Sequence, residues 1–179
     1  MQSLKLKSLF IILILSACFL VMGWIFSSGA KKYSSSNYSD VLVERAVDGD
    51  TLKLAGGERV RLIGIDTPEM HESSKLYRDA RRSSLDVETI KRLGRRAYEF
   101  TRGFVEGKRV RLEFDVEKRD KYDRLLAYVY LKEDGSFLNA RIVEEGFASL
   151  MTIPPNVKYA DLFLRLYQEA RRNQRGLWK

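Results

Sequence analysis

Two acidic turns lie close together in this chain: DGDT at 48–51, and the DTPE that closes RLIGIDTPE at 61–69. A strand can stop at Gly or Asn at lower electrostatic cost, so carboxylates bracketing a Thr-Pro need another reason. Asp50 and Asp66 end successive strand segments and can converge at one rim of a small barrel. Two carboxylates, a carbonyl and waters make a half-shell for Ca²⁺, which takes roughly six to eight oxygen ligands in irregular geometry. Glu69 follows two residues after Thr67, with Pro68 stiffening the turn between them. A carboxylate beside a metal can orient or deprotonate a water that attacks phosphorus. Arg61 lies in the strand leading to this turn, and Arg124 ends RDKYDR at 119–124. Guanidinium suits bidentate capture of phosphate and the charge that develops in phosphoryl transfer.

Each feature also has a plain alternative. DGDT can be an ordinary hairpin turn, Thr67 and Glu69 a helix or loop cap, and each arginine a solvated group among 32 cations. An EF-hand loop is excluded, because its Gly and terminal Glu do not fall at their positions counted from Asp48.

Composition narrows the chemistry. One cysteine, Cys18, and one histidine, His71, exclude a disulfide framework and any Cys- or His-rich metal site. Carboxylates, Arg, Lys, Thr and Tyr remain, and His71 reads as a solvated loop residue rather than a second base. The formal charge of +8 favours a polyanionic partner, nucleic acid or an anionic membrane surface. A length of 179 residues allows one domain of ordinary size plus an appendage.

That appendage is N-terminal. After Lys5 and Lys7, residues 9–26 run without a charge, and SSGAKKYSSSNYSD follows. A helical rise of ~1.5 Å per residue carries such a run across about 27 Å, close to the hydrocarbon thickness of a bilayer. The length fits a membrane anchor better than a cleaved signal. Cleavage after Ala30 and lipidation of Cys18 in LSAC are the other readings, and all three export the remainder. Residues 1–30 are thus a signal or anchor, 31–40 a Ser-rich flexible linker, and 41–179 the folded domain.

Within that domain VLVERAV (41–47), LKLA and ERVRLIGI (58–65) read as three short antiparallel strands turning at DGDT and Gly56-Gly57. Residues 70–86 read as a polar loop with at most a helical turn. Apolar residues at three- and four-residue steps predict a helix over 87–106, with Gly94 a weak point and Gly107 its stop. KRVRLEFD (108–115) alternates as a half-buried strand, and RLLAYVYLK (124–132) is apolar on both faces. A short helix over 137–145 and a basic helix over 158–174 follow, before a closing GLW at 176–178. The order fits a β-barrel plus α architecture: a five-stranded OB-type barrel with three helices, preceded by an N-terminal hydrophobic helix.

VDGDTLKL, VRLIGIDTPE, RDKYDRLLAYVYL with its following DG, and RRNQRGLW stand in the order and approximate spacing of the staphylococcal-nuclease-like (thermonuclease) domain, which the chain resembles over 41–179. The resemblance implies that Asp50 and Asp66 ligate one Ca²⁺ with help from the Thr67 main-chain carbonyl. It implies Glu69 as general base or positioner of the attacking water, and Arg61 and Arg124 as the grip on the scissile phosphate. Lys121 and Tyr122 are the substrate-binding residues it adds. The activity implied is hydrolysis of DNA and RNA to 3′-phosphate ends, single strands favoured, and no obligate protein partner is inferred. Mn²⁺ can accept the same oxygen ligands.

Two departures stand out. Asp123 replaces a usual Gly before Arg124, which puts the Arg124 turn and its charge in question. MTIPPN at 151–156 replaces the Tyr-x-Tyr that stacks on the nucleotide in the best-known member. The rival readings are a non-catalytic OB-fold module that binds nucleic acid through a basic groove, and a membrane-organising protein using its charge on anionic lipid. For the latter, Lys31-Lys32 is a thin basic cluster.

Overall fold

The computed structural model describes residues 37–179. The readings of an N-terminal hydrophobic helix, of a membrane segment at 9–26 and of a site at Cys18 or Ala30 lie outside the described residues. Strands β1 (Val41–Ala46), β2 (Thr51–Leu54) and β3 (Arg59–Leu62) form the expected antiparallel meander. β3 pairs in parallel with β6 (Leu125–Leu131), β6 antiparallel with β5 (Arg109–Glu113), and β5 with β1, closing a mixed five-stranded barrel. Alternation places Val43, Leu52, Val60, Leu62, Val110, Leu125 and Val129 in the core. β6 is buried on both faces, as its unbroken apolar run requires.

ERVRLIGI is not one strand. β3 stops at Leu62, and β4 (Gly64–Asp66) leaves the barrel to pair with β7 (Ser149–Met151), a three-residue strand too short to show an alternation in the sequence. Gly64 makes the departure possible. Its φ is +84°, and a Cβ there would lie 2.5 Å from the Phe163 ring. The groups freed at the break are taken up by the fully buried Asn139, whose Nδ2 donates to Ile63 O at 3.0 Å while its Oδ1 accepts from Val129 N at 3.0 Å.

The helices number four among the described residues, one more than expected. α1 (Ser74–Ser83) forms where a loop was read; α2 (Val87–Val105), α3 (Leu138–Glu144) and α4 (Ala160–Arg172) match the expected three, and a 3₁₀ turn, Gly176–Trp178, closes the chain. The sequence hides α1 because it is strongly polar and buries one residue, Leu76, so few apolar residues mark its inner face. Its start is nevertheless capped, the Ser73 hydroxyl accepting from Leu76 N at 3.1 Å.

α2 underlies both acidic turns. The buried Thr101 hydroxyl donates to Gly49 O at 2.7 Å, tying the DGDT turn to the helix. About two turns earlier, a Cβ on Gly94 would lie 2.6 Å from Glu69 O and 2.7 Å from Pro68 O. Gly94 is therefore a required close approach rather than a weak point. Gly→Ala inside an ordinary helix gains up to about 1 kcal/mol; Gly94→Ala is expected instead to lose about 1–3 kcal/mol as an overpacked contact. Urea denaturation of the two proteins measures the sign.

Candidate active site

The turn before β2 presents Asp50. Asp50 N donates to Asp48 Oδ1 at 3.0 Å, an Asx-type turn that directs the Asp50 side chain inward, where it is 6% exposed. Asp50 Oδ2 accepts from Thr67 N at 2.8 Å and from Thr67 Oγ1 at 3.1 Å. One carboxylate thereby staples the two acidic turns together. Its Oδ1 faces Arg61 Nη1 at 2.9 Å, and Arg61 Nη2 reaches Asp66 Oδ1 at 3.0 Å. The guanidinium, 12% exposed, stands between the two carboxylates.

Asp50, Arg61, Asp66, Thr67, Glu69 and Arg124 all line one cavity of about 230 Å³. The structure thus brings together the six residues that the sequence singled out for metal, water and phosphate. Lys121 and Tyr122 line an adjoining cavity of about 390 Å³, with Lys121 Nζ 5.0 Å from the Tyr122 ring centroid. Arg124 walls both cavities, and its Nε and Nη2 each lie 2.7 Å from Asp120 Oδ2. The acid beside Arg124 is Asp120, not the neighbouring Asp123. Asp123 adopts φ +63°, the left-handed region where Gly is at ease and which Asp also tolerates. The turn is kept, with Asp123 N donating to Asp120 O at 3.0 Å.

Lys75, which lies in the stretch read as a polar loop, is drawn into the site. Its Nζ lies 3.1 Å from Thr67 O, 3.2 Å from Asp66 Oδ2 and 3.3 Å from Glu69 Oε1, with Asp79 Oδ2 at 3.2 Å. The four-residue Lys75–Asp79 spacing was the available signal, readable only once α1 is known to be a helix.

Burial pushes the Asp48 carboxyl up to about 7, with the Asp50 charge adding to it. Burial raises Asp66 as well, against the pull of Lys75. For Lys75 burial acts downward, but the Asp66 and Glu69 carboxylates outweigh it and hold the ammonium above its ordinary value.

Among the described residues no three Asp, Glu, His or Cys side chains gather so as to hold a metal by themselves. A cation here needs main-chain oxygen and water besides Asp50 and Asp66. The donor set suits one: the Lys75 ammonium is already held by the Thr67 carbonyl, Asp66 and Glu69.

A closed five-stranded barrel with a rim cavity of carboxylates and guanidinium groups is the architecture on which this chain builds its site. The chain belongs to the staphylococcal nuclease family, residues 59–179 matching the family model described as Staphylococcal nuclease homologue. It is 34% identical over 180 residues to the thermonuclease of Staphylococcus intermedius, covering 98% of each chain. The thermonuclease of Staphylococcus hyicus is 29% identical over 170 residues, 93% of this chain and 90% of that one. The SPbeta prophage-derived endonuclease YokF of Bacillus subtilis is 35% identical over 144 residues, 78% of this chain and 44% of its own length.

The raised carboxyls carry a signed pH dependence. A folded pKa above the unfolded value means that the native state holds the extra proton, so the contribution of Asp48 to stability is full below about 4 and is lost as pH rises through about 7. In chelator, the melting temperature should fall between pH 5 and pH 8, and Asp48→Asn should flatten that slope. Calorimetric melts across the range supply the comparison.

Proposed function

We propose that this protein is a Ca²⁺-dependent, sugar-nonspecific nuclease that hydrolyses DNA and RNA to 3′-phosphate ends on an OB-type barrel. The observation that carries this reading is the single cavity in which Arg61 bridges Asp50 and Asp66 while Glu69 and Arg124 stand on its walls. Family membership and relatives named as thermonucleases and endonucleases support it.

Asp50, Asp66 and the Thr67 carbonyl would hold the ion. Bound there, Ca²⁺ supplies positive charge beside a phosphoryl oxygen. Glu69 takes the proton of the attacking water or aligns that water on phosphorus. Arg61, fixed by two carboxylates, offers its remaining N–H groups to a non-bridging phosphate oxygen. Arg124 turns from Asp120 toward the phosphate and meets the charge of the five-coordinate transition state. The central cavity shares Arg61, Arg124 and Met151 with the 390 Å³ cavity on one side, and Asp66, Thr67, Pro68 and Lys75 with a cavity of about 350 Å³ on the other. A phosphodiester at the centre therefore has room for a nucleoside on either flank, which favours an unpaired strand. On this reading residues 1–30 export the domain and retain it at a membrane through 9–26, or release it. The mass of the native N-terminus distinguishes the two.

The activity itself is tested by incubating the purified protein with single-stranded DNA or RNA, with Ca²⁺ or with chelator. Cleavage confined to Ca²⁺ and leaving 3′-phosphate ends is expected, with Glu69→Gln lowering kcat about a hundredfold or more. Tight binding without cleavage would instead establish a binding module.

A further inference from the structure

α1 places a cation among Asp66, Glu69 and Asp79. Lys75 Nζ has four oxygens between 3.1 and 3.3 Å, more than the three N–H donors of an ammonium can serve at once. The arrangement resembles the clustering of oxygens about a small ion more than a set of directed hydrogen bonds. Three of the four belong to Asp66, Thr67 and Glu69, the groups assigned above to the ion and its water. The fourth, Asp79, sits one turn along α1 and lines the flanking cavity rather than the central one. Lys75 thus has a partner on its own helix to which it can withdraw. Its helix is lightly attached, with Leu76 as the one buried residue and Tyr77, Arg78, Arg81 and Arg82 exposed.

We propose that Lys75 is a built-in competitor for the divalent cation and sets the affinity of the site for it. In the ion-free protein the ammonium neutralises Asp66 and Glu69 and occupies the Thr67 carbonyl. Loading requires the side chain to retreat to Asp79, so the apparent affinity is reduced by the fraction of molecules with Lys75 inserted. Without the ammonium the three acids would repel one another, and the same repulsion would draw in an ion more strongly. The inference rests on the metal reading above and assigns that metal a resident rival in this chain.

Calorimetric titration of the full chain with Ca²⁺ alone, in the absence of nucleic acid, tests the proposal. Lys75→Met should bind Ca²⁺ about tenfold more tightly than the unaltered chain, whereas Lys75→Arg, which keeps the charge, should remain close to it. Equal or weaker binding by Lys75→Met overturns the proposal. Because that variant can lose α1 order, the unaltered protein supplies a second measurement. Acetylation of Lys75, followed by peptide mass, should be slow in chelator and several-fold faster in Ca²⁺. Unchanged or slower labelling in Ca²⁺ overturns the proposal equally. Ca²⁺-dependent cleavage with no such changes removes only the role of Lys75; absence of both Ca²⁺ binding and cleavage removes the metal reading and this inference with it.

Discussion

Two carboxylates must share a largely buried space, and the Arg61 guanidinium makes that possible. Asp50 and Asp66 each lie within 3.0 Å of it, in a site where all three side chains are mostly withdrawn from water. Like charges so placed repel strongly in a medium of reduced dielectric, and a bridging cation reverses the sign of the local energy. The position of Arg61 follows from strand register. Thr51 opposes Arg61 across β2 and β3, which sets Asp50 beside the guanidinium. Asp66 arrives by another route. Four more residues of straight strand would carry it roughly 13 Å beyond Leu62. The break at Gly64 and the pairing of β4 with β7 turn it back. The abandoned strand end is thus the condition for the site.

Breaking a strand exposes backbone groups, and buried polar side chains take them up. Asn139 serves the break itself, bonding Ile63 O and Val129 N from α3. Thr101 serves the DGDT turn through Gly49 O. Asn156 does the same for the far wall, its Oδ1 accepting from Glu117 N at 2.8 Å and its Nδ2 donating to Glu117 O at 2.9 Å. Each replaces a missing ladder bond with a directed side-chain bond, and an unsatisfied group in the same place would be costly. The rim is held by these contacts on both sides, so the loops that carry charge need not be stiff in themselves.

This division explains what the sequence disclosed. The meander, α2 and β6 were legible because alternation and helical periodicity are local consequences of one-sided or two-sided burial. DGDT and DTPE were legible because turn residues and clustered acids are local chemistry. The end of β3 was not, since Ile63 and Gly64 continue an apolar run and nothing local says that Phe163 fills the adjoining space. α1 and β7 were hidden for a related reason: one buried leucine in a polar helix and a three-residue strand offer too few apolar residues to mark a face. Lys75 could be counted as a cation from the sequence, but its partners are set by where α1 lies. Asp123 offered a half-readable signal. An Asp in place of Gly suggested a disturbed turn and an offset charge, whereas the turn persists at φ +63° and the acid on Arg124 is Asp120.

The wall beside Arg124 bears on how a strand of any sequence could be accepted. Its polar groups are largely committed to the protein: Asn156 to the Glu117 backbone, Asp120 to Arg124, and Arg119 to Glu58 and Asp123. What it offers a base is Leu126, Met151, Ile153 and the exposed ring of Tyr122. Discrimination between bases comes from hydrogen-bonding groups that the wrong base leaves unpaired, whereas apolar and stacking contacts serve every base about equally. Met adds adaptability to such a wall, because an unbranched thioether side chain conforms to varied shapes. On the proposed function, a pocket built this way would locate a nucleoside without identifying it. Selectivity would then be left to the central cavity, whose acids and guanidinium groups suit the phosphodiester common to all of them.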